Sequence, residues 1–149
     1  MSDFETIVYP ERKPLPDKPS ELIRVALADL EKVEADPRYS VHMGDWHRSF
    51  GNYCAVCLAG SVMAMSLHLN PEQTVEFHDS ASGLSDADWD KLDALDDFRM
   101  GEVHAGLRTL NLDQGSLDEM IGITPYTTDP TTFKQDMNNL ADLLEQHEL

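Results

Sequence analysis

The sequence predicts a mainly α-helical domain of four to five helices around one central apolar helix. Three observations carry this. Residues 52–69 hold no acid and no base in a chain that is 26% charged. Their length and their Ala, Leu and Met content favour helix over strand. Flanking stretches near residues 20–35 and 129–146 repeat apolar residues at helical spacing behind recognisable start signals.

The central stretch is apolar nearly all round, as a helix wrapped by others is. It is too short, and too interrupted by Gly60, Ser61 and Ser66, to span a membrane. One side is small and weakly polar, with Cys57, Ser61, Ala64 and His68 at helical steps and Gly60 beside them. A neighbouring backbone can come close there.

Residues 1–19 read as an extended arm, because Pro10, Pro14, Pro16 and Pro19 forbid a helix. Phe4, Ile7, Val8 and Tyr9 are too apolar for a free tail and are expected on the core or on a second subunit, which leaves room for a homo-oligomer built through the arm. Residues 20–149 then form a single helical domain. Its first helix runs from Ser20, the expected N-cap, to Ala35, with Leu22, Ile23, Ala26, Leu30 and Val33 on one face and Asp36-Pro37 as the stop. A small β element is expected near residues 39–43, with a second near 5–9, and Gly44-Asp45 reads as a turn.

Beyond the central helix, residues 72–83 are a polar loop. Ser85 is the next N-cap, with Asp86 and Asp88 in the first turn and Leu84 opposite Trp89 as a hydrophobic staple. Trp89, Leu92 and Leu95 form the buried face. Asp96 falls inside that face, so a break is expected there, with Asp96 capping a further helix that carries Met100, Val103, Leu107 and Leu110. Residues 111–130 are mostly loop, with one turn at the capping-box spacing of Ser116 and Glu119. Asp129 caps the last helix with Pro130 at its first position, and Phe133, Met137, Leu140 and Leu144 share its apolar arc.

Charge is the strongest global feature. Eleven bases stand against 28 acids, a net charge of −17. Residues 1–50 carry ten acids and seven bases, a net of −3, whereas residues 51–149 carry 18 acids and four bases, a net of −14. Such a surface repels nucleic acid and anionic membrane and steers towards basic partners; it also serves plain solubility. Met1-Ser-Asp-Phe-Glu5 is acidic and precedes no long apolar run, an opening expected of a cytoplasmic protein.

Three groups of residues are candidates for chemistry. Cys54 and Cys57, spaced C-x-x-C, follow His42 and His47, and four such ligands can hold zinc. The bland alternative, two core cysteines, weighs more because both fall inside the expected helix. Cys54 near a helix start, with His47 or His104 as base and Asp45 as orienter, has the parts of a cysteine nucleophile, but no oxyanion glycines accompany it. The third group is Asp86, Asp90 and Asp93, which project from one helix side, with Asp97 continuing the row if the helix does not break. The row is about 16 Å long. Aligned like charges carry a small repulsive cost, and such a row can occupy a basic nucleic-acid groove on another protein. A solvated helix face is the competing reading. No phosphate loop, dinucleotide fingerprint, H-E-x-x-H or calcium loop is present.

Trp46-His47 followed by Cys54-Ala-Val-Cys-Leu-Ala-Gly-Ser-Val-Met-Ala64 resembles a segment of small accessory proteins encoded by tailed bacteriophages, and the Pro-rich arm and Phe98-Arg-Met-Gly101 are similar as well. The resemblance carries no activity, cofactor or catalytic residue. It implies a phage protein made in the host bacterium's cytoplasm, of a kind that often binds and inhibits a host factor, some acting as DNA mimics. The expectation is therefore a non-enzymatic, acidic inhibitor of a basic host protein.

Overall fold

A computed structural model describes residues 14–76, 78, 79, 82–112, 117 and 121–149. The arm's apolar cluster, the strand expected at 5–9 and most of the Ser116–Glu119 turn lie outside them. Among the described residues there are five helices and a small sheet. They are α1 (Pro19–Ala35), β1 (Tyr39–Val41), β2 (His47–Ser49), β3 (Cys54–Val56), α2 (Leu58–Met65), α3 (Asp86–Arg99), α4 (Val103–Thr109) and α5 (Pro130–Gln146). The fold is mainly helical with a small β element, rather than purely α. No helix among the described residues is long and apolar enough to cross a membrane.

The central apolar stretch divides. Cys54–Val56 is the middle strand of a sheet ordered β1-β3-β2, parallel to β1 and antiparallel to β2. All three of its residues are buried, so its sequence shows no alternation by which to tell strand from helix. Cys57 then caps α2, its sulfur accepting from the Gly60 N–H at 3.3 Å. The expected helix over 52–69 is thus a hairpin arm, a cap and an eight-residue helix. The close approach expected at Gly60 is real. A Cβ there would lie 1.6 Å from the Trp46 carbonyl oxygen.

Around α2 sit α1 and α3, with α5 against α1 and α4 against α3. Leu22, Ile23, Ala26, Leu30 and Val33 of α1 are all fully buried, as are Phe133, Met137, Leu140 and Leu144 of α5. Asp129 caps α5 as its sequence requires, accepting from the Thr131 and Thr132 N–H groups. Ser85 caps α3 through Asp88 N–H. Ser20, however, is not a cap. Lys18 occupies that position, and the Ser20 hydroxyl instead donates to the Leu149 carbonyl at 2.8 Å, tying α1 to the end of α5. The described end of the arm is strapped down: Leu15 is buried, and Lys91 donates to its carbonyl and to Asp17.

Nor does the chain break at Asp96. It continues as α3 to Arg99 because the Arg99 guanidinium takes the Asp96 carboxylate, 2.9 Å away, at the partly exposed margin of the buried face. Met100 is 61% exposed and ends α3 instead of packing on α4. Within α4, Val103 and Leu107 are buried, and Leu110 follows half-buried.

Candidate functional site

The sheet brings only part of the cysteine–histidine group together. His47 opens β2 opposite Val56, fully buried, with the Cys54 sulfur 3.6 and 3.7 Å from its two ring nitrogens. Nδ1 lies 2.7 Å from the Gln73 carbonyl. A carbonyl only accepts, so Nδ1 carries the proton. Burial lowers the pKa of His47, partly offset by that carbonyl, so the ring is held neutral. Burial pushes both the Cys54 and the Cys57 thiols up to about 11. Cys54 stands on a strand, away from any helix start, so the dipole that would favour a thiolate is missing. His104 lies on α4, and Asp45 is engaged by His42 at 3.1 Å and Arg48 at 3.8 Å. His42 is exposed, and the Cys57 sulfur is spent on its cap. Among the described residues no three His, Cys, Asp or Glu side chains are placed to hold a metal ion.

The acidic row is divided too. Because α3 does not break, Asp86, Asp90, Asp93 and Asp97 share one continuous helix. Asp86 and Asp90 are exposed. Asp93 and Asp97 are partly buried and engaged within the fold. The Asp93 Oδ2 meets His78 Nε2 at 2.6 Å, and the His78 ring stacks on Trp89. Asp97 accepts from the Thr109 hydroxyl at 3.4 Å. Burial raises the pKa of both carboxyls, with those hydrogen bonds opposing it. The outward-facing part of the row is its N-terminal half.

One feature was missed in the sequence. Residues 46–71 contain no acid at all, flanked by Asp45 and Glu72. Part of this run is core, but its two ends reach solvent side by side. At the first, the β2–β3 turn is closed by Phe50 N–H donating to the Tyr53 carbonyl at 2.8 Å, with Gly51 at φ +91°. There the Phe50 and Tyr53 rings stack at 5.1 Å and 17°, 47% and 39% exposed, and the Arg48 guanidinium covers the Phe50 ring at 5.1 Å. At the second, His68 follows α2 at φ +54°, the left-handed position that glycine fills most cheaply. An open groove of about 590 Å³ runs between the two. Arg38, Tyr39, Asn52, Tyr53, His68 and Asn70 contribute to its lining, with Glu72 the one carboxylate. The usable signal was the extent of the acid-free run, which passes well beyond the apolar residues that explain its middle.

The described residues form a small, mainly helical fold with an acidic helix face on α3 and an open groove between the β2–β3 turn and the end of α2. No family model, no curated protein and no solved structure matches the chain.

Proposed function

We propose that this is a non-enzymatic interaction protein, phage-encoded and acting in the host bacterium, that binds and inhibits a basic host protein through its acidic surface. The observation that supports it most is how the bases are used. Arg24, Lys32, Arg38, Arg48, Lys91, Arg99 and Lys134 each lie within 3.8 Å of a carboxylate of this same chain. Positive charge is neutralised locally, and the acid excess is left outward, at Glu31, Asp86, Asp90 and Glu102 among others. A field of one sign steers a basic partner and sets the salt dependence of its binding. Asp86 and Asp90 are the members of the row able to meet such a partner directly, while Asp93 and Asp97 keep the helix and its neighbours in place. A basic surface that ordinarily holds nucleic acid is the complementary target, which makes nucleic-acid mimicry the mode of inhibition.

The test is capture from nuclease-treated bacterial lysate with a salt gradient, followed by affinity measurement on whatever is released. A basic nucleic-acid-binding protein eluting at moderate salt is expected. Replacing Asp86 and Asp90 together with Asn should weaken it several-fold and flatten its salt dependence. Unchanged affinity in that double variant would end the proposal.

A further inference from the structure

The groove has a chemistry of its own, independent of the acidic surface. Its Tyr53 wall is the last ring of a prebuilt stack. The Arg48 guanidinium lies over Phe50, and Phe50 lies over Tyr53. One face of Tyr53 is therefore taken, and the other is what remains for the groove it lines. Tyr39, the second aromatic of the lining, carries the Arg38 guanidinium at 5.5 Å. Between them stand uncharged hydrogen-bonding groups. The Asn52 amide offers a donor and an acceptor. The Asn70 oxygen accepts from the Glu72 N–H, which leaves its NH₂ as donor. His68 is held in a left-handed backbone where glycine would cost less, and its ring lines the groove. Strain of that kind, retained at a groove, points to use of the side chain.

The charges narrow the ligand. A net charge of −17 opposes phosphorylated or polyanionic ligands. The lining carries one carboxylate, Glu72, and one guanidinium, Arg38, itself paired with Asp36, so it offers a cation no cluster of negative charge. What fits is an uncharged flat ring with hydrogen-bonding edges. The volume is within the range of small-molecule sites, and stacking plus edge recognition by side-chain amides is how unpaired bases are held. We infer that the groove between the β2–β3 turn and the end of α2 binds a free, uncharged heteroaromatic compound of the nucleobase or nucleoside class, stacked on Tyr53. The same ring chemistry occurs in single-stranded nucleic acid, but there each base brings a phosphate that this chain repels.

The experiment is an amide-resolved NMR titration of the full chain with adenosine, cytidine, uridine and inosine, each to about 5 mM, a range that reaches weak binding. A hexose serves as a similar-sized control without a flat ring, and a short single-stranded oligonucleotide as the polymer arm. The expected result is saturable shifts at Asn52, Tyr53, His68 and Asn70 with at least one nucleoside and none with the hexose. Tyr53→Ala should weaken binding about tenfold, the loss expected of one stacking aromatic, and Tyr53→Phe should retain it. Tyr53 is at an exposed turn, so both variants should keep the wild-type spectrum elsewhere. No saturation by any nucleoside, equal shifts with the hexose, unchanged binding in Tyr53→Ala, or tighter binding of the oligonucleotide than of the nucleosides would each overturn the inference.

Discussion

Gly60→Ala is the sharpest test of how the sheet is docked on α2. An ideal Cβ at residue 60 would sit 1.6 Å from the Trp46 oxygen, 2.8 Å from its carbonyl carbon and 3.0 Å from Val56 Cβ. A carbon needs about 3.3 Å from a carbonyl oxygen, so the strand or the helix must retreat by about 1.7 Å. The obstacle is backbone, so no rotamer change relieves it. Movement of Trp46 also displaces its ring from Trp89, against which it packs edge-on at 6.0 Å, and pulls on the buried His47 next to it. Overpacking a core costs about 1–3 kcal/mol, and more where backbone must shift. The better helix propensity of alanine returns at most about 1 kcal/mol.

The net loss expected is about 3 kcal/mol. With an unfolding entropy of about 2.1 cal/mol/K per residue, that lowers Tm by about 10 °C for a chain of this length. Thermal and urea unfolding followed by circular dichroism measure it, and the emission of Trp46 and Trp89 should shift in the folded variant. Gly122→Ala is the control: among the described residues nothing lies within 4 Å of a Cβ built there, and its Tm should stay at the wild-type value. If Gly60→Ala matched Gly122→Ala, or were more stable than wild type, the docking of Trp46 on α2 described above would be wrong.

Three further outcomes follow from individual side chains. Asp29, 2% exposed, accepts from the Ser66 hydroxyl at 2.5 Å, and burial raises its pKa above the ordinary carboxyl value, with Ser66 and Lys32 opposing. A raised folded pKa means stability that is fully present below the unfolded pKa and is lost as pH rises through the folded one. Asp93 and Asp97 have the same sign. Asp29→Asn should therefore raise Tm at pH 7, and this gain over wild type should shrink as pH falls towards the ordinary carboxyl range, where wild-type Asp29 takes up its proton; a loss of Tm at pH 7, or a gain that does not shrink, refutes the assignment. Both thiols, pushed up to about 11, should resist a thiol reagent at pH 8 in the folded protein and react fully in denaturant, so rapid labelling of the native chain would mean that Cys54 or Cys57 is not buried as described. His68→Gly should stabilise by about 0.5–1 kcal/mol, the left-handed penalty less the extra chain entropy of glycine, measured by urea unfolding; a loss of stability would show that the His68 ring holds the fold rather than serving the groove.

The parts of the fold legible in sequence are those whose signals are local. Ser85 and Asp129 announce helix starts because a cap needs only the next three residues, and α1 and α5 declare their buried faces through their own periodicity. The middle of the chain gives no such help. Cys54-Ala-Val56 is buried on both sides of a sheet, so it looks the same as the helix that follows Cys57, and the evidence that it is a strand lies in its pairing with residues 39–41 and 47–49. The acidic row shows the same limit. Its spacing places Asp86, Asp90 and Asp93 along one helix, which Asp97 joins because the break expected at Asp96 does not occur, but spacing says nothing of what packs on them, and the partners of Asp93 and Asp97 come from residues 15 and 12 positions away.

The groove needed a different signal, the absence of acid. Burial accounts for that absence over residues 54–64, since an ionised carboxylate there would be prohibitive. It does not account for residues 48, 50–53, 68 or 70, which are open to solvent. At those positions the core imposes nothing. The exclusion of acid from two separate exposed ends of one run, which the fold then brings to the same groove, is the feature that burial leaves unexplained and that binding of an uncharged ring explains.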